Sequence, residues 1–512
     1  MSLLKKEQII IELTNQGLCI TSEALDYIIK VGINKEDLEK LGTIVKKLKP
    51  EIFIISEDTV KDFIKIEKTK AENSNNLVLK VSEKETQEQI SPTESSPLLS
   101  AREILPDIEI ISDPAGEKTM GVREIDDFLH YFRDRFEKLS NLLKMRRDVE
   151  GYIPIKAVKS LNSKDEIKII GMVKEKRSTK TGNVGFELED LEASIQAFTT
   201  DKIPESKKKA ERLVPDQVVC ATGRWMSNRF MVTDITWPDL PFTDQKNRAK
   251  EEVCAAFISD IHYGSGKFDE EAFKGFIRFL QGKNGAKYLA EHIKYVLIVG
   301  DMVDGVGIYP GQEKDLKIPD IFEQYDGIAR LLSEIPDHIQ IIAIPGNHDA
   351  TRQAEPQPAI DGKFAKPLYD LPNVSLYGNP LQLKLHGVNI LLYHGRSILD
   401  DIIGFVPGLS IDKPAETMKE LLKCRHLAPY FGGNTPTAAG KEDMLVIQSV
   451  PDIFLTGHAH VNDFSKYRGV FLINTGTFQK QTDYQKSQGI NPTPGKVPII
   501  NLKTFKITLI EF

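Results

Sequence analysis

Residues 295–304 read YVLIVGDMVD: five apolar residues, then Gly300, Asp301 and Asp304. A continuous apolar run of this length, closed by glycine and carboxylates, is the pattern of a strand buried on both faces whose carboxyl end opens into a polar loop. The same grammar recurs on either side. AAFIS (255–259) precedes Asp260 and His262, and IQIIAI (339–344) precedes Gly346, Asn347, His348 and Asp349. VNILLY (388–393) precedes His394, and PDIFLT (451–456) precedes Gly457, His458 and His460. Helical segments such as EEAFKGFIRFL (270–280) and IFEQYDGIARLLSEI (321–335) lie between some of these runs. The alternation predicts a layered α/β domain with helices covering the sheet, and it brings every polar cluster to the carboxyl edge, where neighbouring loops converge.

Five of the chain's ten histidines fall in these clusters. Imidazole, carboxylate and amide donors without thiolate suit first-row divalent ions such as manganese, iron, zinc or nickel. The reading is a two-ion site. Asp260, His262 and His460 hold one ion, Asn347, His394 and His458 the other, and Asp301 bridges them at a separation of about 3.5–4 Å. Such a site draws in a phosphate and activates water against it. His348, next to a ligand but free of the ions, is expected to protonate the leaving oxygen, with Asp349 orienting it. Asp304 is expected to support a ligand rather than to be one, and glycines 264, 300, 346, 395 and 457 to allow tight turns.

Outward from this domain, Gly151 to Phe242 changes to short β-rich runs, among them IKIIGMVKEKR, GFELED, ASIQAF, QVVCATGRW and RFMVTDITW. They predict a small closed barrel of OB type over 150–245. Residues 151–250 hold 18 Lys plus Arg against 14 Asp plus Glu, while the whole chain carries −7. A basic barrel of this kind is a candidate groove for single-stranded nucleic acid. Before it, Ile125, Phe128, Leu129, Phe132, Phe136, Leu139, Leu142 and Leu143 form one helical stripe in a connector over 106–149. Residues 69–105, rich in Glu, Lys, Ser and Pro, predict a flexible linker, and 1–68 a helical bundle with caps at Thr21, Ser22 and Ser56.

With 512 residues, 40% hydrophobic and 28% charged, wholesale disorder and fibrous architecture are excluded. No run approaches the length of a spanning helix and the start is charged, so the expected location is cytoplasmic, with no membrane partner. The four cysteines are scattered and predict buried thiols.

DxH, GDxxD, GNHD, a lone histidine and GHxH, in this order over about 252–512, resemble the signature of calcineurin-like metallophosphoesterases. That resemblance implies a β-sandwich flanked by helices, a dinuclear site and phosphoester hydrolysis. FISDIHYGSGKF, GDMVDGVGIYPGQE, IPGNHDATRQAEPQPA, HLAPYFGGNTPTAAGKEDMLVI and PDIFLTGHAH, with IIGMVKEKRSTKTGN in the barrel, resemble the small-subunit family of archaeal family D DNA polymerases. The likeness extends over about 120–512. It implies a manganese-dependent 3′–5′ exonuclease that proofreads, at a DNA 3′ end, for a large catalytic polymerase subunit on a separate chain. The N-terminal region is open to two roles, recruiting other replication proteins or touching DNA. Two other readings compete: a mainly structural or regulatory polymerase subunit, and a metallophosphatase unrelated to replication. Intact ligand positions favour the first reading over a scaffold, and the accessory domains favour both over the phosphatase. Residues 251–512 hold 26 Lys plus Arg against 31 Asp plus Glu, a poor balance for unaided DNA affinity.

Overall fold

The computed structural model describes residues 100–114, 125–158, 165–178, 182–226, 228–242 and 247–512, with residues 9, 19–20, 22–31, 54–55 and 60 of the N-terminal part. The chain forms two units, 1–94 and 95–512. In the first, helix Ser22–Val31 buries Ala24, Leu25 and Ile28. A pair of two-residue parallel strands, Cys19–Ile20 and Ile54–Ile55, accompanies it where helices alone were expected. The Ser56 cap, the linker from 69 to 99 and the start of the TKTGN turn lie outside the described residues.

The second unit runs through β1 (Ile108–Ser112), α1 (Ile125–Lys144), β2 (Ile167–Ser178), β3 (Val184–Glu189), β4 (Ser194–Phe198), α2 (Pro204–Glu211), β5 (Val218–Met226) and β6 (Arg229–Thr236). It continues through β7 (Cys254–Ile258), α3 (Glu270–Leu280), β8 (Ile293–Val299), α4 (Ile321–Leu332), β9 (Gln340–Ile344), β10 (Val374–Leu376), β11 (Leu381–Leu385) and β12 (Val388–Leu392). It ends with α5 (Pro414–Cys424), β13 (Ile453–Thr456), β14 (Asp463–Tyr467), β15 (Val470–Asn474), β16 (Lys496–Asn501) and β17 (Ile507–Glu511).

Strands β2-β3-β4-β6-β5 close into a barrel around Phe186, Leu188, Val219, Phe230 and Val232. The remaining strands form two six-stranded sheets, β10-β9-β8-β7-β16-β17 and β14-β15-β13-β12-β11-β1. Strand periodicity sorts their side chains into layers. Ala255, Phe257, Tyr295, Leu297 and Val299 of the first sheet meet Leu383, Ile390, Leu392 and Leu455 of the second in one core. On the outer face of the first sheet, Ala256, Ile258, Val296 and Ile298 pack with Phe273, Phe276 and Phe279 of α3 and Tyr325 and Ile328 of α4. On the outer face of the second, Leu391, Phe454 and Leu472 pack with Met418, Leu421 and Leu422 of α5. The four layers are therefore helix, sheet, sheet, helix. β7, β8 and β9 pair in parallel, as do β12, β13 and β15, so each set presents its carboxyl ends at one edge.

Three features depart from expectation. Strand β1 lies inside the stretch read as a helical connector and pairs antiparallel with β11 at the edge of the second sheet, all five residues exposed. Nearby Ala101, at the end of the expected linker, is fully buried, its N–H donating to Glu291 and its carbonyl accepting from Lys294 Nζ. Helix α1 packs along the later part of its apolar stripe, with Phe132, Phe136 and Leu142 half-buried against the barrel, and departs from it at the start. Leu139 and Leu143 pack on barrel residues Ile170, Met172, Val218 and Cys220, but Phe128 and Leu129 are exposed, while Tyr131 and Arg135 are fully buried. Arg135 donates to Asp443 at 2.6 Å, to the Pro429 carbonyl at 2.7 Å and to Tyr131 Oη at 3.0 Å. A guanidinium with these partners is tolerated at full burial, and it turns the helix toward the loop that supplies them. Cys220, Cys254 and Cys424 are free, buried thiols, each pushed up to about 12 by burial. Among the described residues no helix is long and apolar enough to cross a membrane.

Candidate metal centre

The loops after β7, β8, β9, β12 and β13 bring Asp260, His262, Asp301, Asn347, His348, His394, His458 and His460 to the shared edge of the two sheets. Asp260, His262, Asp301, His458 and His460 all have φ between 50° and 65°. That left-handed backbone costs a non-glycine residue on the order of 1 kcal/mol or more each and persists where surrounding structure over-determines it.

Two separate clusters of donor atoms result, and a third group, His262, Asp301 and His348, overlaps both. In the first, His262 Nε2 and His460 Nε2 are 3.2 Å apart. Asp260 Oδ1 lies 3.3 Å from His460 Nε2 and 3.9 Å from His262 Nε2. In the second, His394 Nε2 lies 3.0 Å from Asn347 Oδ1 and 3.4 Å from Asp301 Oδ2, and Asp301, His394 and His458 offer donors to one point. Asp301 Oδ2 also lies 3.7 Å from His262 Nε2, so this one oxygen faces both clusters.

Supporting contacts aim these donors. His262 Nδ1 donates to Asp304 Oδ1 at 2.9 Å, directing Nε2 into the cluster. His394 Nδ1 donates to the Val299 carbonyl at 2.9 Å. His460 Nδ1 meets Gln485 Nε2 at 3.0 Å. Asp260 Oδ2 accepts from His458 N–H at 2.9 Å and from the Ser259 hydroxyl. Asp301 Oδ1 accepts from His348 N–H at 2.8 Å. Asp304 thus takes the supporting role read from its spacing. Gln485, Asn379 and Ser259, which no motif singled out, complete the shell, Asn379 Oδ1 accepting from the His394 N–H.

Two observations fit these residues to cations. Among the described residues the buried Asp260 Oδ1 has no hydrogen-bond partner, a costly state unless a positive charge faces it. With Nδ1 committed to Val299, a neutral His394 turns a lone pair toward two oxygen acceptors. Positive charge is demanded there: burial opposes it, yet Asp301 outweighs burial and holds the imidazole proton up to about 10. Burial likewise opposes charge on Asp301, but His394 and His348 hold its carboxyl well below the usual range. Burial pushes His262 down, leaving the neutral form that a ligand must have.

The structure places His348 beside His262, ring centroids 4.6 Å apart, and within reach of Asp301. Its Nδ1 donates to the Asp304 carbonyl at 2.7 Å. Asp349, expected to orient it, does not. The Asp349 carboxylate accepts from the N–H groups of Gly346, Met302 and Val303 and from Tyr325 Oη, locking the loop after β9 onto the loop after β8. Burial and then repulsion from Asp301 push its carboxyl up to about 6. The two neighbours diverge because one follows the backbone out toward solvent and the other returns under the loop. Of the expected glycine turns, Gly300 has φ +90°, whereas Gly346 is needed for space: a Cβ there would strike the Asp301 carboxylate.

Residues 255–466, which span most of the sandwich and these loops, match the DNA polymerase alpha/epsilon B-subunit family. This is a family of DNA polymerase subunits. The chain is 44% identical over 410 residues to the DNA polymerase II small subunit of Methanothermobacter thermautotrophicus, covering 79% of this chain and 83% of that one. It is 43% identical to that of Pyrococcus furiosus, covering 75% and 63%, and 44% identical to that of Methanocaldococcus jannaschii, covering 76% and 66%. The match thus spans just under two thirds of the latter two relatives. The chain belongs to the family of archaeal DNA polymerase II small subunits.

Proposed function

We propose that the chain is the small, proofreading subunit of a heteromeric replicative DNA polymerase and that its sandwich is a dinuclear, metal-dependent 3′–5′ exonuclease. The observation that carries this reading is the pair of donor clusters sharing Asp301 Oδ2. Asp260, His262 and His460 would hold one ion, Asn347, His394 and His458 the other, with Asp301 common to both. Manganese is the first choice, with iron, zinc or nickel open. When bound, the ions would supply Lewis acidity toward the scissile phosphate and an acidified water.

The chain's own residues do the rest. His348, half-buried and anchored through Nδ1–H to the Asp304 carbonyl, would act as its imidazolium, passing the Nε2 proton to the leaving 3′ oxygen while Nδ1 keeps its own proton and its anchor. Asp304 holds both His262 and, through its carbonyl, His348, so it couples ligand geometry to acid placement. Asp349 fixes the loop that bears Asn347 and His348. The barrel at 150–245 is the OB-type domain and, with a large catalytic subunit on a separate chain, supplies the positive groove that the sandwich lacks. The N-terminal region would serve contacts with other replication proteins.

The test is manganese-dependent nucleotide release from a 3′-labelled, mismatched primer-template, with and without the large subunit. Asp301→Ala and His348→Ala should each lose about a hundredfold or more in rate. Release that survives both substitutions moves the nuclease elsewhere. No release by wild type under any condition leaves a structural subunit.

A further inference from the structure

The rim of the second cluster holds a cation that no step above uses. Arg396 lies two residues past His394, its side chain 20% exposed. Its Nε donates to Asp400 Oδ2 at 3.0 Å and its Nη1 to Gln353 Oε1 at 3.1 Å. Both partners lead back to the site. Gln353 Nε2 donates to the Asn347 carbonyl at 2.7 Å, and Asp400 Oδ1 stands 3.6 Å from His458 Nε2. The guanidinium is thus braced from two sides by groups that touch two candidate ligands, and among the described residues its Nη2 donates to nothing.

The backbone is built for this brace. Residues Ile398–Ile402 form a π-helical turn, a rare conformation often found at functional positions. It lets Asp400 face the rim while Asp401 turns inward to accept from Asn434 and Thr435 N–H at 2.8 and 3.1 Å. An exposed i,i+4 pair formed for helix stability alone needs neither device, and it contributes little. The Asp400 carboxylate faces His458 as well as Arg396, and the guanidinium stays charged throughout. In a domain of net negative charge, a fixed guanidinium fork beside a phosphodiesterase centre matches a phosphate.

We propose that Arg396 grips the backbone phosphate that flanks the scissile one in the bound DNA strand, making it a substrate-positioning residue that favours a polynucleotide over a single phosphoester. One side chain separates it from each candidate ligand, Gln353 on one route and Asp400 on the other, which sets it back from the reacting phosphate. This rests on the nuclease reading of the site.

The experiment measures anisotropy of a 5′-fluorescein-labelled oligothymidylate with the full chain in manganese, together with manganese content by mass spectrometry. Arg396→Ala should weaken oligonucleotide binding by about tenfold or more and make the salt slope shallower by about one, with manganese content retained. Arg396→Lys, which keeps the charge, should recover part of the loss. In hydrolysis, the loss should fall on KM more than on kcat. Unchanged DNA affinity, or a loss of manganese in its place, overturns the proposal, as does a wild-type chain that binds no oligonucleotide even with the large subunit present. Wild-type binding that depends on Arg396 without any hydrolysis would sink the exonuclease reading and keep the phosphate grip.

Discussion

His262 Nε2 and His460 Nε2, separated by 198 residues of chain, stand 3.2 Å apart beside a buried carboxylate oxygen that has no hydrogen-bond partner among the described residues. A cation that binds this folded arrangement and not the unfolded chain stabilises it by mass action. Manganese at 100 times its dissociation constant should add about 2.7 kcal/mol, read as a rise in Tm. Asp260→Ala should remove most of that rise. An equal rise in the variant would place the stabilising ion at another site.

Gly346 stands where any side chain would strike the carboxylate that faces both clusters. Gly346→Ala should cost about 1–3 kcal/mol through overpacking and also lower nuclease activity and manganese uptake by displacing Asp301. Normal manganese uptake by the variant, measured by calorimetry, would show that the carboxylate finds another position.

Glu355 is fully buried under the site, its Oε2 accepting from Tyr393 Oη at 2.8 Å. Burial raises its carboxyl to about 7 even so. The native state therefore keeps a proton that the unfolded chain releases near its ordinary value. Stability should fall as pH rises from about 4.5 to about 7, by about 3 kcal/mol from this group. Glu355→Gln should flatten that slope in urea titrations at pH 5 and pH 8. An identical slope in wild type and variant would assign the dependence to other groups.

Arg135 and Asp443 form a fully buried ion pair that binds helix α1 to the loop after α5, and His426 Nε2 meets the same carboxylate at 2.9 Å. Arg135→Met should cost about 3–5 kcal/mol, because a buried charge loses its partner. Burial opposes ionisation of Asp443, but His426 and Arg135 hold its carboxyl well below the usual range. Its contribution is present above the unfolded value near 4 and is lost as the pH falls below it. The acid limb of the stability curve should therefore shrink in Asp443→Asn. A stability curve unchanged by either substitution would mean that the pair is energetically neutral.

The sequence by itself determined that five strand ends would each carry polar donors, because a strand buried on both faces must be apolar and the residue that breaks the run is legible as a loop. It also determined the barrel strands and that the cysteines would be buried thiols, as Cys220, Cys254 and Cys424 are. Tertiary structure alone decided which histidine each supporting group meets, even for Asp304, whose supporting role was expected. Asp304, Gln485 and Asn379 reach their histidines across gaps of 42, 25 and 15 residues, and no local spacing encodes such distances. It also decided that Asp349 turns away from His348, since both follow Asn347 and only the packing against Met302 and Tyr325 separates them. Helix α1 makes the same point. Its apolar stripe spells an amphipathic helix and the later part of that stripe is buried, but the burial of Arg135 beside it depends on Asp443, 308 residues further along the chain, which offers a charge-assisted hydrogen bond. Strand β1 was hidden for the opposite reason: an edge strand exposed on all five residues carries no burial pattern to read, and only its pairing with β11 defines it. Periodicity reports which residues avoid water, whereas hydrogen-bond partners distant in sequence are chosen only when the layers close.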